Sequence, residues 1–268
     1  MNFNSFFIII LFFSTSSCYT GKVTPLADLP SSLKEASAIE KTKNSDLLWT
    51  IEDAGNKNNL YALNSKIEIV KNLEIENAQN NDWEDLTSDN FGNIYIGDFG
   101  NNSKKRENFT IYKITNPEKA TDLTTAEVIS FTLPKKMESE DFESFFLYND
   151  YFYIFSKSDK DCKLFKVPNR KGDHEANYIA EVKLDGKHTK VTSADISDDG
   201  KTVVLLNHER LWKITDFKSD NFFDGKVKSL AFEHDSQKEG VVFIHDNEVL
   251  ITDEKTKHEG GKIYDFIF

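Results

Sequence analysis

The feature that most constrains this chain is a hairpin that recurs. Five segments share a polar or acidic opening, an apolar run, a tight turn and a second apolar run: EASAIEKTKNSDLLWTIED (35–53), DWEDLTSDNFGNIYIGD (82–98), DFESFFLYNDYFYIFSK (141–157), TSADISDDGKTVVLLNH (192–208) and QKEGVVFIHDNEVLITD (237–253). Their starts lie 47, 59, 51 and 45 residues apart, the differences between 35, 82, 141, 192 and 237. That period suits a four-stranded propeller blade. In each copy a turn pair separates the runs: Asn44-Ser45, Gly92-Asn93, Asn149-Asp150, Asp199-Gly200 and Asp246-Asn247. These residue types tolerate the positive φ of tight hairpins.

Two more strand candidates follow each of the first four hairpins, for example NLYALN with IEIVKNLEI and FTIYKIT with AEVISFTL, whereas the fifth is followed only by KIYDFIF. Residues 23–29, VTPLADL, precede the first unit and have no hairpin partner of their own. Closing the last blade with this N-terminal strand removes an open sheet edge. The expectation is an all-β, five-bladed β-propeller formed as a single domain by residues 23–268. Six blades or an irregular β-sandwich are the alternatives. A chain of 268 residues with 22 Phe is long enough and suitably aromatic for such a sheet-built core.

Ahead of the repeats, residues 6–13 read FFIIILFF, an apolar run of eight, too short to span a bilayer and of the length of a signal-peptide core. Ser14-Thr15-Ser16-Ser17-Cys18 follows it and resembles a bacterial lipoprotein cleavage site, although Thr15 replaces the usual larger aliphatic residue and MNFNS lacks Lys and Arg. The expectation is a signal peptide over 1–17, a short tether over 18–22 and lipidation of Cys18. The protein would then be exported and membrane-anchored, facing the periplasm or the cell surface. Ordinary cleavage and release is the alternative. Cys162 is left as a lone thiol or the partner of Cys18 in a disulfide.

The second hairpin carries Asp82-Trp83-Glu84-Asp85, then Gly97-Asp98-Phe99-Gly100-Asn101-Asn102, Arg106 and Ile111-Tyr112. This text resembles an NHL-type propeller repeat. It resembles more closely a group of uncharacterised secreted bacterial propellers with a DWED motif, a GDxGNN motif and a later Arg before an IY strand. The likeness extends to LWTIEDAGNKNNLYAL near 48–63 and VTSADISDDGKTVVLLNH near 191–208. It implies the propeller fold and carries no settled activity.

In a propeller the first strand of each blade lines the central channel and begins on the face where the second strand ends. Unit starts therefore gather Glu35, Ser37, Asp82, Glu84, Asp85, Asp141, Glu143, Thr192, Asp195 and Glu239 on one face. Second-strand ends add Asp53, Asp98, Ser156, Asn207, His208 and Asp253. Glu84, Glu143 and Glu239 share one repeat position, so they form a ring. A ring of carboxylates repels itself unless protons or a cation neutralise it, and a hard ion with oxygen ligands such as Ca²⁺ fits. Glu84, Glu143, Asp195 and Glu239 are the candidate ligands. Turn capping and pairing with nearby Lys and Arg is the plainer explanation of the same acids.

Calcium at a propeller axis is also similar to the gluconolactonase and paraoxonase group, whose likeness would imply a lactone or ester substrate. Paired carboxylates in a central funnel would suit a glycosidase. Glu84, Glu143 and His208 are the candidate catalytic groups, and Asp82, Trp83, Asp98, Asn101, Asn102 and Arg106 the candidate ligand contacts. No GxSxG elbow, HExxH pair, phosphate-binding glycine loop or EF-hand loop occurs. A net charge of −12 argues against nucleic acid, which is bound through clustered Lys and Arg. The expectation is a monomer that binds a small molecule, glycan or protein through the acidic face, or a hydrolase of a lactone, ester, phosphoester or glycan.

Overall fold

The computed structural model describes residues 21–257 and 259–268. The signal-peptide and Cys18 lipidation expectations, and His258, lie outside the described residues. Among the described residues, twenty-one strands form five sheets that stand as the blades of a five-bladed β-propeller.

Blade 1 holds β2 (Leu48–Thr50), β3 (Asn59–Leu63) and β4 (Ile69–Ile75), with β8 (Leu123–Thr124) added at its rim. Its inner segment is irregular: 36–40 forms no regular ladder with the neighbouring strand and meets it through the bridges Ala36–Glu52 and Glu40–Trp49 and the Thr50 hydroxyl, which donates to Ala38 O at 2.7 Å. Blade 2 runs from inside outward as β5 (Trp83–Ser88), β6 (Ile94–Asp98), β7 (Asn108–Ile114), β9 (Glu127–Thr132) and β13 (Gly172–Glu175). Blade 3 is β10 (Phe142–Tyr148), β11 (Tyr151–Ser156), β12 (Cys162–Pro168) and β14 (Asn177–Val182). Blade 4 is β15 (Ser193–Ile196), β16 (Thr202–Leu206), β17 (Arg210–Thr215) and β18 (Lys226–Ala231).

Blade 5 is β19 (Lys238–His245), β20 (Glu248–Asp253), β21 (Lys262–Ile267) and, outermost, β1 (Val23–Asp28). The N-terminal strand thus closes the last blade, as expected. It pairs antiparallel to β21, from Val23–Phe266 to Asp28–Lys262. The rim strands β8 and β13 were not legible from the repeat. They are short parallel additions, from the blade-2 and blade-3 connections, to the outer edges of blades 1 and 2.

Each blade is sandwiched between two others, so both faces of its inner strands are buried and successive side chains serve different interfaces. Ile94 and Ile96 pack toward blade 1 while Tyr95 packs toward blade 3. Val203 and Leu205 face blade 3, and Val204 and Leu206 face blade 5. This is why the strands read as continuous apolar runs. The phenylalanines concentrate between blades 2 and 3 and between blades 3 and 4, as in the edge-on pairs Phe99–Phe145 and Phe109–Phe142, 5.1 and 5.2 Å between centroids. Trp49, Trp83 and Trp212 are fully buried in these interfaces. At the turns, Asn44, Gly92, Asn149, Asp150 and Gly200 have the positive φ that their residue types allow. Cys162 is a buried free thiol in strand β12.

Candidate functional site

The inner strands carry a shared irregularity that builds the site. The register slips between Trp83 and Asp85, between Phe142 and Ser144, and between Lys238 and Gly240. The skipped residues are Glu84, Glu143 and Glu239. A β-bulge leaves its extra residue out of the ladder and re-aims its side chain, and here it turns three glutamates to one mouth of the channel. The corresponding residues of blades 1 and 4 are Ser37, whose hydroxyl donates to Trp83 O, and Thr192, whose hydroxyl donates to Lys238 O, at 3.1 and 2.7 Å. The ring is therefore three carboxylates and two hydroxyls.

A second set stands just beyond the end of each second strand, each member directly after a residue that acts as a latch. Asp98 accepts Asp82 N and Arg106 Nη1 at 3.1 and 2.9 Å, Ser156 accepts Lys163 N at 2.9 Å, and Asp253 accepts Lys262 N and Tyr264 Oη at 2.8 and 2.7 Å. The residue after each latch turns to the mouth: Asp53 after Glu52, Lys157 after Ser156, His208 after Asn207 and Glu254 after Asp253. Phe99, after Asp98, is instead buried in the core.

Between the two sets, oxygens of Asp53, Asp82 and Glu84 lie within 4.8 Å of one another. Gly100 permits this approach: a Cβ there would fall 2.5 Å from the Asp82 carboxylate and closer still to Glu84 Oε1. Burial, reinforced by Asp53, pushes Asp82 up to about 6. Burial also raises Glu84 well above the usual carboxylate range, with Asp53 and Asp82 adding repulsion. Glu254 is pushed up to about 8 by burial and by Glu239 and Asp53. Lys157 is the cation at this mouth, and it is held by Glu143. His208 Nε2 stands 2.9 Å from Glu239 Oε1.

The expected site residues divide three ways. Glu84, Glu143, Glu239, His208 and Asp82 do meet at one mouth. Asp195 does not. It sits three residues past Thr192 on β15, about 10 Å further along the channel at 3.3 Å per residue, and lines a cavity at the opposite mouth with Glu40. Trp83, Asp98 and Asn101, candidate ligand contacts in the sequence, are interior groups. Trp83 donates Nε1 to Gln79 O at 3.0 Å inside the core. Asn101 donates Nδ2 to Ser139 Oγ and Glu140 O, both at 2.9 Å, and accepts Lys105 N and Arg106 N on Oδ1. Arg106 spends its guanidinium on Asp98 and Gly100 O, at 2.9 and 3.1 Å. Asn102 is exposed beside them.

Asp85 occupies the axis. Fully buried, it accepts Phe145 N, Ser193 Oγ and Ala194 N at 3.1, 3.0 and 3.3 Å, tying blade 2 to blades 3 and 4. Lys157 and Glu254 were missed in the sequence. Asp53 is expected on this face from its place at a second-strand end, but not among the candidate ion ligands. The available signal was their place one residue after a latch, which reads clearly only once the pairing is known.

Fold and site together define a five-bladed β-propeller with a carboxylate-lined channel mouth. No protein-family model matches the chain, and no curated protein is similar to it. Among solved structures it is similar to an aldose sugar dehydrogenase from Streptomyces coelicolor in its PQQ-bound form. The TM-score is 0.56 at 11% identity, over 92% of this chain and 98% of that one. At that identity the likeness establishes the fold alone.

Proposed function

We propose that this protein is an exported, lipid-anchored envelope propeller that binds a divalent cation, Ca²⁺ by preference, at Asp53, Asp82 and Glu84. The bound ion would present a ligand-binding face to a small molecule, glycan or protein partner. The single observation that carries the reading is the convergence of those three carboxylates within 4.8 Å, with the nearby lysine taken by Glu143. Such a set costs free energy unless charge is neutralised, and a hard cation with oxygen ligands neutralises it without protons. The anchor rests on the apolar run at 6–13 and on Cys18. The protein acts as a monomer in this reading.

The dehydrogenase neighbour's PQQ is not carried over. That cofactor is a tricarboxylate, and this mouth offers it mainly carboxylates and the engaged Lys157. A metal-assisted hydrolase of an ester, lactone, phosphoester or glycan is the second reading. The His208–Glu239 pair favours it, because a carboxylate-oriented imidazole is a general base suited to a cation-bound water.

The test is thermal melting with Ca²⁺, Mg²⁺ or EDTA, on wild type and Glu84→Gln. A ligand of the native state must raise the melting temperature by mass action. Wild type is expected to respond to Ca²⁺ and Glu84→Gln to lose most of the response. A wild type indifferent to every divalent ion sinks the cation site. Radiolabelled palmitate that fails to reach the wild-type protein, or that still reaches Cys18→Ser, ends the anchor.

A further inference from the structure

The opposite mouth of the channel, where the hairpin turns gather, holds a cavity of about 1200 Å³ that none of Asp53, Asp82 and Glu84 lines. Its floor is a second carboxylate pair, Glu40 from the irregular inner segment of blade 1 and Asp195 from β15. Glu40 is only 6% exposed. Its Oε1 accepts Lys41 N and Ser88 Oγ at 2.7 and 3.2 Å, while Oε2 accepts no hydrogen bond among the described residues. Among the described residues Asp195 takes only main-chain donors, Ile196 N and Phe243 N, each at 2.7 Å. Among the described residues no Lys or Arg forms an ion pair with either carboxylate.

The rest of the wall continues this imbalance. Six carboxylates line the cavity against three lysines. Lys43 is engaged by Asn90 Oδ1 at 3.1 Å, and Lys113 stands over the Tyr95 ring at 5.7 Å, so neither serves the floor. Above it, on the turn of the blade-2 hairpin, Phe91 is 82% exposed although its side chain is wholly apolar. The Phe91 ring belongs to no core cluster, and its main-chain N donates to Asp89 Oδ1 at 2.9 Å, which fixes the turn that carries it. A desolvated carboxylate pair calls for a cation, and an exposed ring on the wall of the same cavity supplies cation–π contact and cover for an alkyl chain. A hydrated metal ion would make no use of the ring. The volume is also far greater than one ion needs and lies just above the roughly 300–1,000 Å³ of small-molecule sites.

We propose that this cavity is a second ligand site that takes a small alkylammonium compound, with Glu40 and Asp195 receiving the ammonium group and Phe91 covering the adjoining chain. The site is separate from the cation site at the other mouth, and its occupancy does not depend on that reading.

Isothermal titration of the full chain with spermidine in about 0.15 M salt, which screens diffuse attraction to an acidic protein, tests this directly. Cellobiose and Ca²⁺ serve as comparison probes. Spermidine is expected to bind wild type saturably and Glu84→Gln with unchanged affinity. Asp195→Asn should weaken it at least tenfold. Phe91→Ala should weaken it about threefold or more, consistent with a cation–π contact at a partly exposed site. Phe91→Ala keeps the test decisive if Asp195→Asn fails to fold, because an exposed side chain contributes little to stability. The proposal is overturned if spermidine does not bind, if it binds both cavity variants as tightly as wild type, if Glu84→Gln rather than the cavity variants abolishes binding, or if cellobiose binds and spermidine does not.

Discussion

Asp82→Asn should do two opposite things at once. The Asp82 carboxylate accepts no hydrogen bond among the described residues, since its main chain alone bonds to Asp98 Oδ1 and to Gly100 N. The amide therefore forfeits no contact. Burial and the neighbouring Asp53 hold the Asp82 carboxyl at about 6 instead of 3.8. At face value a shift of roughly two units is ~3 kcal/mol, and for a half-buried group screened by water ~1–2 kcal/mol is the usable figure.

The sign follows from proton linkage. Between about pH 4 and 6 the folded chain holds a proton on Asp82 that the unfolded chain has lost. Stability therefore falls as pH rises through that window, and the full cost is present above it. In EDTA at pH 8, Asp82→Asn should thus be more stable than wild type by ~1–2 kcal/mol. For a chain of this size that is ~2–8 °C in melting temperature at ~2–4 °C per kcal/mol. At pH 4 the gap should close.

Adding Ca²⁺ at a hundred times its Kd should stabilise wild type by ~2.7 kcal/mol, or ~5–10 °C, and Asp82→Asn far less, so the order of the two melting curves reverses. Differential scanning fluorimetry in the two buffers reads both effects. If Asp82→Asn is the less stable protein in EDTA, or keeps the full Ca²⁺ response, the account of the carboxylate cluster is wrong.

Three further substitutions probe other parts of the construction. Lys157→Met removes the cation that moderates Asp53 and Glu84. It should lower metal-free stability by ~1 kcal/mol and tighten Ca²⁺ binding severalfold by calorimetry. Asn101→Ala strips the buried amide that joins the 101–106 loop to Ser139 and Glu140. Urea unfolding should show a loss of ~2–4 kcal/mol with an unchanged m-value. Gly100→Ala drives a methyl group against the Asp82 and Glu84 carboxylates. Its Ca²⁺ affinity should drop at least tenfold while its far-ultraviolet circular dichroism stays that of wild type.

The site was only half legible in the sequence, for a reason of register. Glu84, Glu143 and Glu239 could be aligned because each stands two residues after the start of its unit, and the bulge that turns them inward lies at the same step in each. The outer set could not be aligned by residue type. Asp53 and Asp98 look equivalent, yet Asp98 is the latch that pairs with Trp83, while the latch position of blade 1 is Glu52 and Asp53 lies beyond it. A shift of one residue along a strand sends the side chain to the other face. That single step separates an aspartate tied up by Arg106 from one that faces the channel. Asp195 fails for a related reason: it belongs to the opening strand of the unit that starts at Thr192, but β15 has already carried it toward the other mouth.

By itself the sequence determined the fold. Turn residues set five hairpins, apolar runs long enough to be buried on both faces filled the strands between them, and a final blade one strand short required 23–28 to complete it. These are local patterns and simple counts, which a chain carries in its order. The sequence aligned the glutamate ring, but tertiary structure decided which acids close on one another. Asp53, Asp82 and Glu84 come from two blades, and Glu40 and Asp195 face one cavity from blades 1 and 4. Charge proximity depends on bulges, on one-residue register and on the closing of the ring. None of those distances exists until the last blade has sealed against the first.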